Sequence, residues 1–224
     1  MDKCSKIAKT AAGSAPDLAK INAQSLRELA EEEVFSFKIA ACNTLVDRDF
    51  EHFTEAALDQ MASLYIGKTV IFDHLWSAGK QTARIYDASV EEIEGGRQLI
   101  LLAYMLRTPE TKPTIDAIEG GILREVSVGF SCRKRTCDLC GEDIASRKCS
   151  HFPGREYDGV ICTATLDDVT DVYEVSFVAV PAQPAAGVVK SFEKTDAPTE
   201  APESAPEIGK AELDALELEK IRYV

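Results

Sequence analysis

Short runs of alternating apolar and polar residues dominate the chain, and this is the pattern of β-strands with one buried face. The first run begins at Val34 and Phe35. Two longer runs flank residues 94–96 (Glu-Gly-Gly), a sequence typical of a tight turn, so they predict a β-hairpin. The predicted strands are residues 34–42, 69–72, 81–93, 97–107, 124–133, 160–166 and 171–180.

Helical spacing is confined to a few segments. Thr54 is a predicted N-cap. The apolar stripe that follows it consists of Ala57, Leu58, Met61 and Leu64. A second helix is predicted over residues 109–119, with a proline near its start and two glycines after its end. Many strands and few helices predict an α+β fold that is mainly β, with a barrel-like sheet and peripheral helices.

Composition divides the chain into three parts. Residues 1–33 are rich in Ala, Lys and Glu, and we interpret them as a helical or frayed N-terminal arm. Residues 34–190 carry the strand pattern and form the predicted folded domain. Residues 191–224 begin with regularly spaced prolines, typical of an extended linker, and end in a short predicted helix at 211–221. A helix this short is marginal in water, so we expect it to need a partner.

The composition also narrows the possible functions. Acidic residues outnumber basic ones by 38 to 25, and the formal net charge of −13 disfavours nonspecific binding to nucleic acid or to an anionic membrane. The longest apolar runs have the length of strands, and no apolar segment follows the N-terminus. We therefore expect neither a membrane span nor a secretory signal, and we expect the protein to remain in the compartment where it is made.

The cysteines indicate a metal site. Their number, seven, is odd, which argues against a disulfide framework. A C-x2-C-x8-C-x-H pattern suits tetrahedral Zn²⁺, and its predicted ligands are Cys137, Cys140, Cys149 and His151. Three thiolates and one imidazole fill the coordination shell, so the predicted zinc is structural and stabilises a small zinc-knuckle insertion over residues 132–157. Cys132 and Cys162 flank the cluster and are alternative ligands.

Ser127 and His74 are the candidate catalytic pair. Ser127 lies on a predicted strand, within Glu-Val-Ser-Val-Gly-Phe (125–130), and His74 directly follows the segment that ends at Asp73. A serine hydroxyl becomes a good nucleophile when an imidazole accepts its proton, and the imidazole needs an acceptor that orients it. A third group, expected to be acidic, would complete such a triad.

Three segments, in this order along the chain, resemble motifs of the prohead proteases of tailed bacteriophages. Residues 67–74 (Gly-Lys-Thr-Val-Ile-Phe-Asp-His) resemble the family's Gly-Lys-x-Val-x-x-Asp-His stretch. Residues 127–130 (Ser-Val-Gly-Phe) resemble its Ser-x-Gly-Phe strand. Residues 174–182 (Glu-Val-Ser-Phe-Val-Ala-Val-Pro-Ala) resemble its Glu-x-Ser-x-Val-x-x-Pro-Ala segment.

The resemblance implies the fold of the herpesvirus assembly protease, a β-barrel with surrounding helices. It also implies that Ser127 is the nucleophile and that His74 is the general base and acid. Glu174 is the preferred third member of the triad because it opens the third segment. Asp73 and Asp171 are the competing acidic residues, and Asp73 ranks lower because a sequence neighbour usually points away from the imidazole.

The implied function is a serine endopeptidase that acts during prohead maturation. Its substrates would be the scaffold or the scaffold-like arm of the major capsid protein, and the protease itself. The implied setting is the host cytoplasm, inside the assembling prohead, with self-association of the protease. The loop of residues 182–184, in which Pro184 has no N–H, or the chain near Gly129 is the candidate source of backbone N–H donors for the oxyanion.

Other functions remain open at this point. A non-enzymatic capsid assembly or scaffold component, stabilised by zinc, is the main alternative. Basic residues around the cysteines suggest contact with nucleic acid, but the acidic net charge and the few aromatics nearby disfavour it. A metalloprotease is disfavoured because the chain has no His-Glu-x-x-His motif.

Overall fold

The computed structural model describes residues 16–189. The predicted linker and helix within 191–224, and the first half of the predicted arm, lie outside the described residues. The strands are β1 (Val34–Asn43), β2 (Glu51–Phe53), β3 (Thr69–Phe72), β4 (Ala83–Ile93), β5 (Gly96–Leu106), β6 (Val126–Cys137), β7 (Glu156–Tyr157), β8 (Val160–Ile161), β9 (Ala164–Phe177) and β10 (Gly187–Val189). The helices are α1 (Leu18–Asn22), α2 (Glu55–Tyr65) and α3 (Lys112–Glu119), with 3₁₀ turns at Glu31–Glu33 and Ala78–Lys80.

Eight strands form one mixed sheet, so the prediction of a mainly β fold is confirmed. Its order is β10-β1-β5-β4-β3-β9-β2, and β6 pairs with β9. The prediction of a barrel is wrong, because the sheet does not close. The strand β10 has only three residues, and an isolated bridge between Glu125 and Gly187 is its link to the start of β6.

The helix α2 packs on this sheet as its sequence pattern predicts. The Thr54 hydroxyl caps it by accepting a hydrogen bond from the Ala57 N–H at 3.0 Å. The buried face consists of Ala57, Leu58, Met61 and Tyr65, whereas Leu64 of the predicted stripe is only partly buried. The predicted second helix begins later than expected, at Lys112, because Thr108 and Thr111 form a hydrogen-bonded turn before it.

The two strands predicted near residues 160–166 and 171–180 are largely one long strand, β9. The polar pair Asp167-Asp168 lies inside β9, where the pattern suggested a break. The β6–β9 ladder keeps its register through this pair, with Cys132 opposite Val169 and Lys134 opposite Asp167, and its two irregularities lie nearer the Ser127 end. Lys134 on β6 lies 3.6 Å from Asp167, so the acidic side chains have basic neighbours across the sheet.

The described part of the N-terminal arm packs against the sheet. The helix α1 has only five residues, and the fully buried Ile21 lies in it. This residue and Leu29 form a second apolar cluster with Val34, Tyr86 and Tyr104. Residues 16–33 therefore belong to the folded body. Within residues 16–189, no helix is long and apolar enough to cross a bilayer.

Candidate active site and metal cluster

Four residues of the candidate site share one face of the β6–β9 ladder. Ser127 lies directly opposite Ser176, and Gly129 lies opposite Glu174. Side chains two residues apart on a strand point to the same face, so all four belong to one face. The intervening Val175 is completely buried in the core on the other face. The ladder therefore brings the candidate nucleophile and the candidate acid together.

His74 reaches this face from the end of β3. The strand β3 runs parallel to β9 and pairs Phe72 with Phe177. Both Asp73 and His74 then adopt left-handed backbone conformations, with φ of 52° and 54°. Such values are uncommon outside glycine, although Asp and His tolerate them better than most residues. This turn ends the strand and carries the imidazole over the face that holds Glu174.

The imidazole of His74 bonds to a buried carboxylate. Its Nδ1 lies 2.8 Å from Glu174 Oε1, and only 3% of the Glu174 side chain is exposed. An Nδ1–H that donates to a carboxylate leaves Nε2 as the proton-accepting nitrogen of the neutral ring. Of the other acids considered, Asp171 pairs instead with Lys68 Nζ at 3.1 Å, and Asp73 is exposed.

Gly129 makes room for this carboxylate. A Cβ at Gly129 would lie 2.3 Å from Glu174 Oε1, a separation that side-chain atoms do not tolerate. The buried Tyr65 hydroxyl links β6 and β9 at this point, since it lies within hydrogen-bond distance of the carbonyls of Gly129 and Glu174, at 3.3 and 3.4 Å. Sequence reasoning assigned no such role to Gly129 or Tyr65. The Ser-x-Gly spacing was the available signal for Gly129.

Ser176 is a further residue that sequence reasoning missed. Its hydroxyl donates to Glu174 Oε2 at 2.6 Å and accepts a hydrogen bond from the His74 backbone N–H at 3.0 Å. It is completely buried. The Glu-x-Ser spacing places both residues on one face, and this was the signal that could have found it.

Ser127, His74 and Glu174 line one cleft of about 460 Å³. The exposed Trp76 and its neighbour Tyr173, whose ring centroids are 5.3 Å apart, form an aromatic wall of this cleft. Among the described residues, no hydrogen bond joins the Ser127 hydroxyl to His74. Catalytic hydrogen bonds are often long in proteins without substrate, so a shared cleft is the relevant observation.

The loop after β9 borders the same cleft and is held firmly. The buried Gln183 side chain accepts from the Asn43 N–H at 2.7 Å and donates to the Asn43 carbonyl at 3.1 Å. The Arg48 N–H donates to the Ala182 carbonyl at 3.0 Å. Ala182, Gln183 and Gly129 all line the cleft, so both predicted locations for oxyanion donors adjoin it.

The four predicted metal ligands also come together. The ligand atoms of Cys137, Cys140, Cys149 and His151 all lie within 4.8 Å of one another, so the cluster could bind a metal ion. The Cys140 and Cys149 sulfurs are 3.8 Å apart, and Cys137 Sγ lies 3.6 Å from His151 Nδ1. Zn–S bonds of about 2.3 Å separate neighbouring tetrahedral ligands by about 3.8 Å, so the spacing fits zinc.

The flanking cysteines differ from these four. Cys162 Sγ lies 3.8 Å from Cys137 Sγ and borders the cluster, whereas Cys132 pairs with Val169 across the sheet. Burial and the neighbouring Cys137 raise the pKa of Cys162 to about 11. Burial acts in the same direction on Cys137, but backbone N–H groups in the knuckle outweigh it and lower its pKa to about 6. Cys137 is therefore the better thiolate ligand.

Asp138 attaches the loop that carries the Cys/His cluster to the main sheet. Its carboxylate accepts from the hydroxyls of Thr163 and Thr165 at 2.5 and 2.6 Å, and it lies 3.0 Å from His52 Nε2. These hydrogen bonds join the knuckle to β2 and to the start of β9. Ser127 lies near the start of β6 and Cys137 at its end, so the cluster is at the far end of the strand and contributes no ligand to the cleft.

Comparison of the chain with protein-family models, curated proteins and solved structures finds no match. The functional assignment therefore depends on the geometry of the site and on the three sequence segments.

Proposed function

We propose that the protein is a serine endopeptidase in which Ser127 is the nucleophile, His74 the general base and acid, and Glu174 the group that orients His74. One observation carries the proposal. The His74 Nδ1 bonds to the buried Glu174 carboxylate inside a cleft that Ser127 also lines. This arrangement keeps Nε2 as the proton acceptor, which a serine nucleophile requires.

The chemistry follows from these positions. The Ser127 Oγ attacks the peptide carbonyl while its proton passes to His74 Nε2, and the imidazolium that forms is stabilised by Glu174. The protonated ring then donates to the departing amine, which leaves an acyl-enzyme. Water, deprotonated by the same ring, hydrolyses this ester and restores Ser127. Backbone N–H groups near Gly129 or in the 182–184 loop would stabilise the oxyanion.

The biological setting we propose is maturation of a bacteriophage prohead. The resemblance of residues 67–74, 127–130 and 174–182 to the motifs of prohead proteases supports it. The substrates would be scaffold and the arm of the major capsid protein, and the protease itself, inside the assembling prohead in the host cytoplasm. Kinship with the herpesvirus assembly protease fold is part of this proposal. The mainly β sheet with peripheral helices supports it, although the sheet of residues 16–189 does not close into the barrel of that fold.

We further propose that the Cys/His cluster binds Zn²⁺ and that this ion is structural. Cys137, Cys140, Cys149 and His151 supply four ligands, which leaves no open coordination position for substrate or water. When bound, the ion would cross-link the loop between β6 and β9. The catalytic residues lie elsewhere, so no step of peptide hydrolysis requires the ion.

The alternative is a zinc-stabilised capsid assembly component without catalytic activity. The missing hydrogen bond between Ser127 and His74 within the described residues favours it. The two functions differ in whether Ser127 reacts.

Diisopropyl fluorophosphate distinguishes these functions without a known substrate. An activated serine forms an O–P bond with the reagent, fluoride leaves, and the imidazole takes the hydroxyl proton. We expect intact mass spectrometry to show one adduct on the wild type and none on Ser127→Ala. Ser131→Ala is the matched control, because Ser131 lies on the same strand and bonds to Thr170 at 2.8 Å. It should be labelled like the wild type.

Incubation with the cognate capsid protein tests the substrate class. We expect shortened species with the wild type and unchanged masses with Ser127→Ala. If neither the wild type nor Ser127→Ala were labelled by the reagent or cleaved the capsid protein, the non-catalytic assembly component would be favoured.

A further inference from the structure

We propose that Ser176 is a positioning residue of the active site, which fixes Glu174 and His74 relative to each other. This inference rests on the proposed serine protease function. It assigns a role to a buried hydroxyl that does not face the substrate. The role is to set the orientation of the carboxylate and the location of the imidazole through one oxygen atom.

The two oxygens of the Glu174 carboxylate bond to two different partners. Oε1 bonds to His74 Nδ1 at 2.8 Å, and Oε2 accepts from the Ser176 hydroxyl at 2.6 Å. With both oxygens engaged, the carboxylate cannot rotate about its terminal bond without breaking one of these contacts. A carboxylate so fixed presents Oε1 to the imidazole in one direction only.

The same hydroxyl also anchors the backbone of the histidine. The His74 N–H donates to Ser176 Oγ at 3.0 Å, at a residue with a φ of 54°. A left-handed residue of this kind persists when its surroundings hold it. Ser176 therefore restrains the start of the imidazole side chain as well as the acceptor of its Nδ1 proton.

Burial makes this arrangement dependent on the serine itself. Ser176 is completely buried, and Glu174 is 2% exposed. Without the hydroxyl, water has little access to Glu174 Oε2 or to the His74 N–H. Both groups would then lose a partner, and buried polar groups without partners are costly. Ser127 lies directly opposite Ser176, so a local shift would also alter the distance between nucleophile and base.

Ser176→Ala and Ser176→Thr are the variants that test the role, because only threonine keeps the hydroxyl. Ser36→Ala is the matched control. Ser36 is 6% exposed and its hydroxyl lies 2.8 Å from the Tyr86 hydroxyl, remote from the cleft. The Ser36→Ala substitution therefore removes a comparable buried hydrogen bond. Urea unfolding of each variant measures its free energy of unfolding and shows that it is folded under the conditions in which the rates are compared.

The first readout is the rate of labelling of Ser127 by diisopropyl fluorophosphate. We expect Ser176→Ala to react about tenfold to a hundredfold more slowly than the wild type, since loss of one hydrogen bond in a catalytic network has effects of this size. Ser176→Thr should recover most of the rate, and Ser36→Ala should react normally. Equal rates for Ser176→Ala and Ser36→Ala, both folded, would overturn the proposal.

The second readout does not depend on activity. In the Ser127→Ala background, an Nδ1–H held by a carboxylate should give a far-downfield proton resonance in NMR spectra. We expect Ser176→Ala to broaden or remove this resonance and Ser176→Thr to restore it. A resonance that is unchanged by Ser176→Ala would show that Glu174 and His74 do not need Ser176. If the wild type were never labelled, the protease function would fail while this experiment would still decide the role of Ser176.

Discussion

Gly129 lies directly opposite Glu174 in the β6–β9 ladder, and the Glu174 carboxylate occupies the space that a side chain at Gly129 would need. The hydrogen bond between Glu174 and His74 therefore depends on the absence of a single carbon atom on the neighbouring strand. The Ser-x-Gly spacing thus has a physical basis, because the glycine two residues after Ser127 admits the acid that orients His74.

Gly129→Ala should strongly impair the active site, although it adds only one methyl group. The added Cβ would lie 2.3 Å from Glu174 Oε1 and would force the carboxylate away from His74. We expect a loss of about 1–3 kcal/mol in the free energy of unfolding, the usual cost of overpacking, and a strong fall in the labelling rate of Ser127. Gly79→Ala is the control, since nothing lies within 4 Å of its added Cβ. Normal labelling of Gly129→Ala would contradict the proposed role of Glu174.

Glu174→Gln should impair catalysis while preserving the shape of the side chain. The amide NH₂ can donate to Nδ1 and so favour the tautomer whose Nε2 carries the proton and cannot accept one from Ser127. By analogy with other triads, we expect a fall of up to about 10⁴-fold in the reaction of Ser127. Asp171→Asn, which alters the partner of Lys68 on the same strand, should have little effect. A Glu174→Gln variant as reactive as the wild type would remove Glu174 from the triad.

Metal binding should depend on the four clustered ligands and on pH. We expect Cys137→Ser to lower zinc affinity by at least about tenfold, whereas Cys132→Ser should retain it because Cys132 lies outside the cluster. The lowered pKa of Cys137, about 6, means that its thiolate persists to below neutral pH. Zinc affinity should therefore weaken more steeply as the pH falls through 6, where a proton competes for this sulfur.

Competition with a chromogenic chelator measures both effects. Hydrogen exchange adds a structural readout: removal of the metal should increase exchange across residues 137–162 and leave the core strands β1 and β5 protected. Full retention of zinc by Cys137→Ser would show that the ligand set is wrong.

The sequence predicted the elements of the site better than their arrangement. The segments around His74, Ser127 and Glu174 were placed on the correct strands because local apolar alternation marks them. The pairing of Gly129 with Glu174 could not be predicted, since irregularities after Gly129 and after Ser131 shift the register of β6. Register between strands so far apart along the chain is a tertiary property, and local pattern carries little information about it.

The predictions of a closed sheet and of two separate strands near residues 160–180 failed for related reasons. The three-residue β10 is too short to pair with β6 over more than a bridge, and strand patterns do not reveal such lengths. The acidic Asp167 and Asp168 broke the apolar alternation, although the pairing of β9 with β6 carries the strand through them. The clustering of the four candidate metal ligands was predicted correctly, because the Cys-x2-Cys spacing fixes two of them locally.

Trp76 should report directly on occupancy of the cleft. It is the only tryptophan of the chain, it is 72% exposed, and it lines the cleft beside His74. An apolar group attached to Ser127 would displace water from the aromatic wall formed with Tyr173. We therefore expect labelling by diisopropyl fluorophosphate to shift the Trp76 emission to shorter wavelength, at the same rate at which the adduct appears in mass spectra. The Ser127→Ala variant should show no shift with the reagent. An emission that stays constant while the adduct forms would mean that the Ser127 side of the cleft does not extend to Trp76.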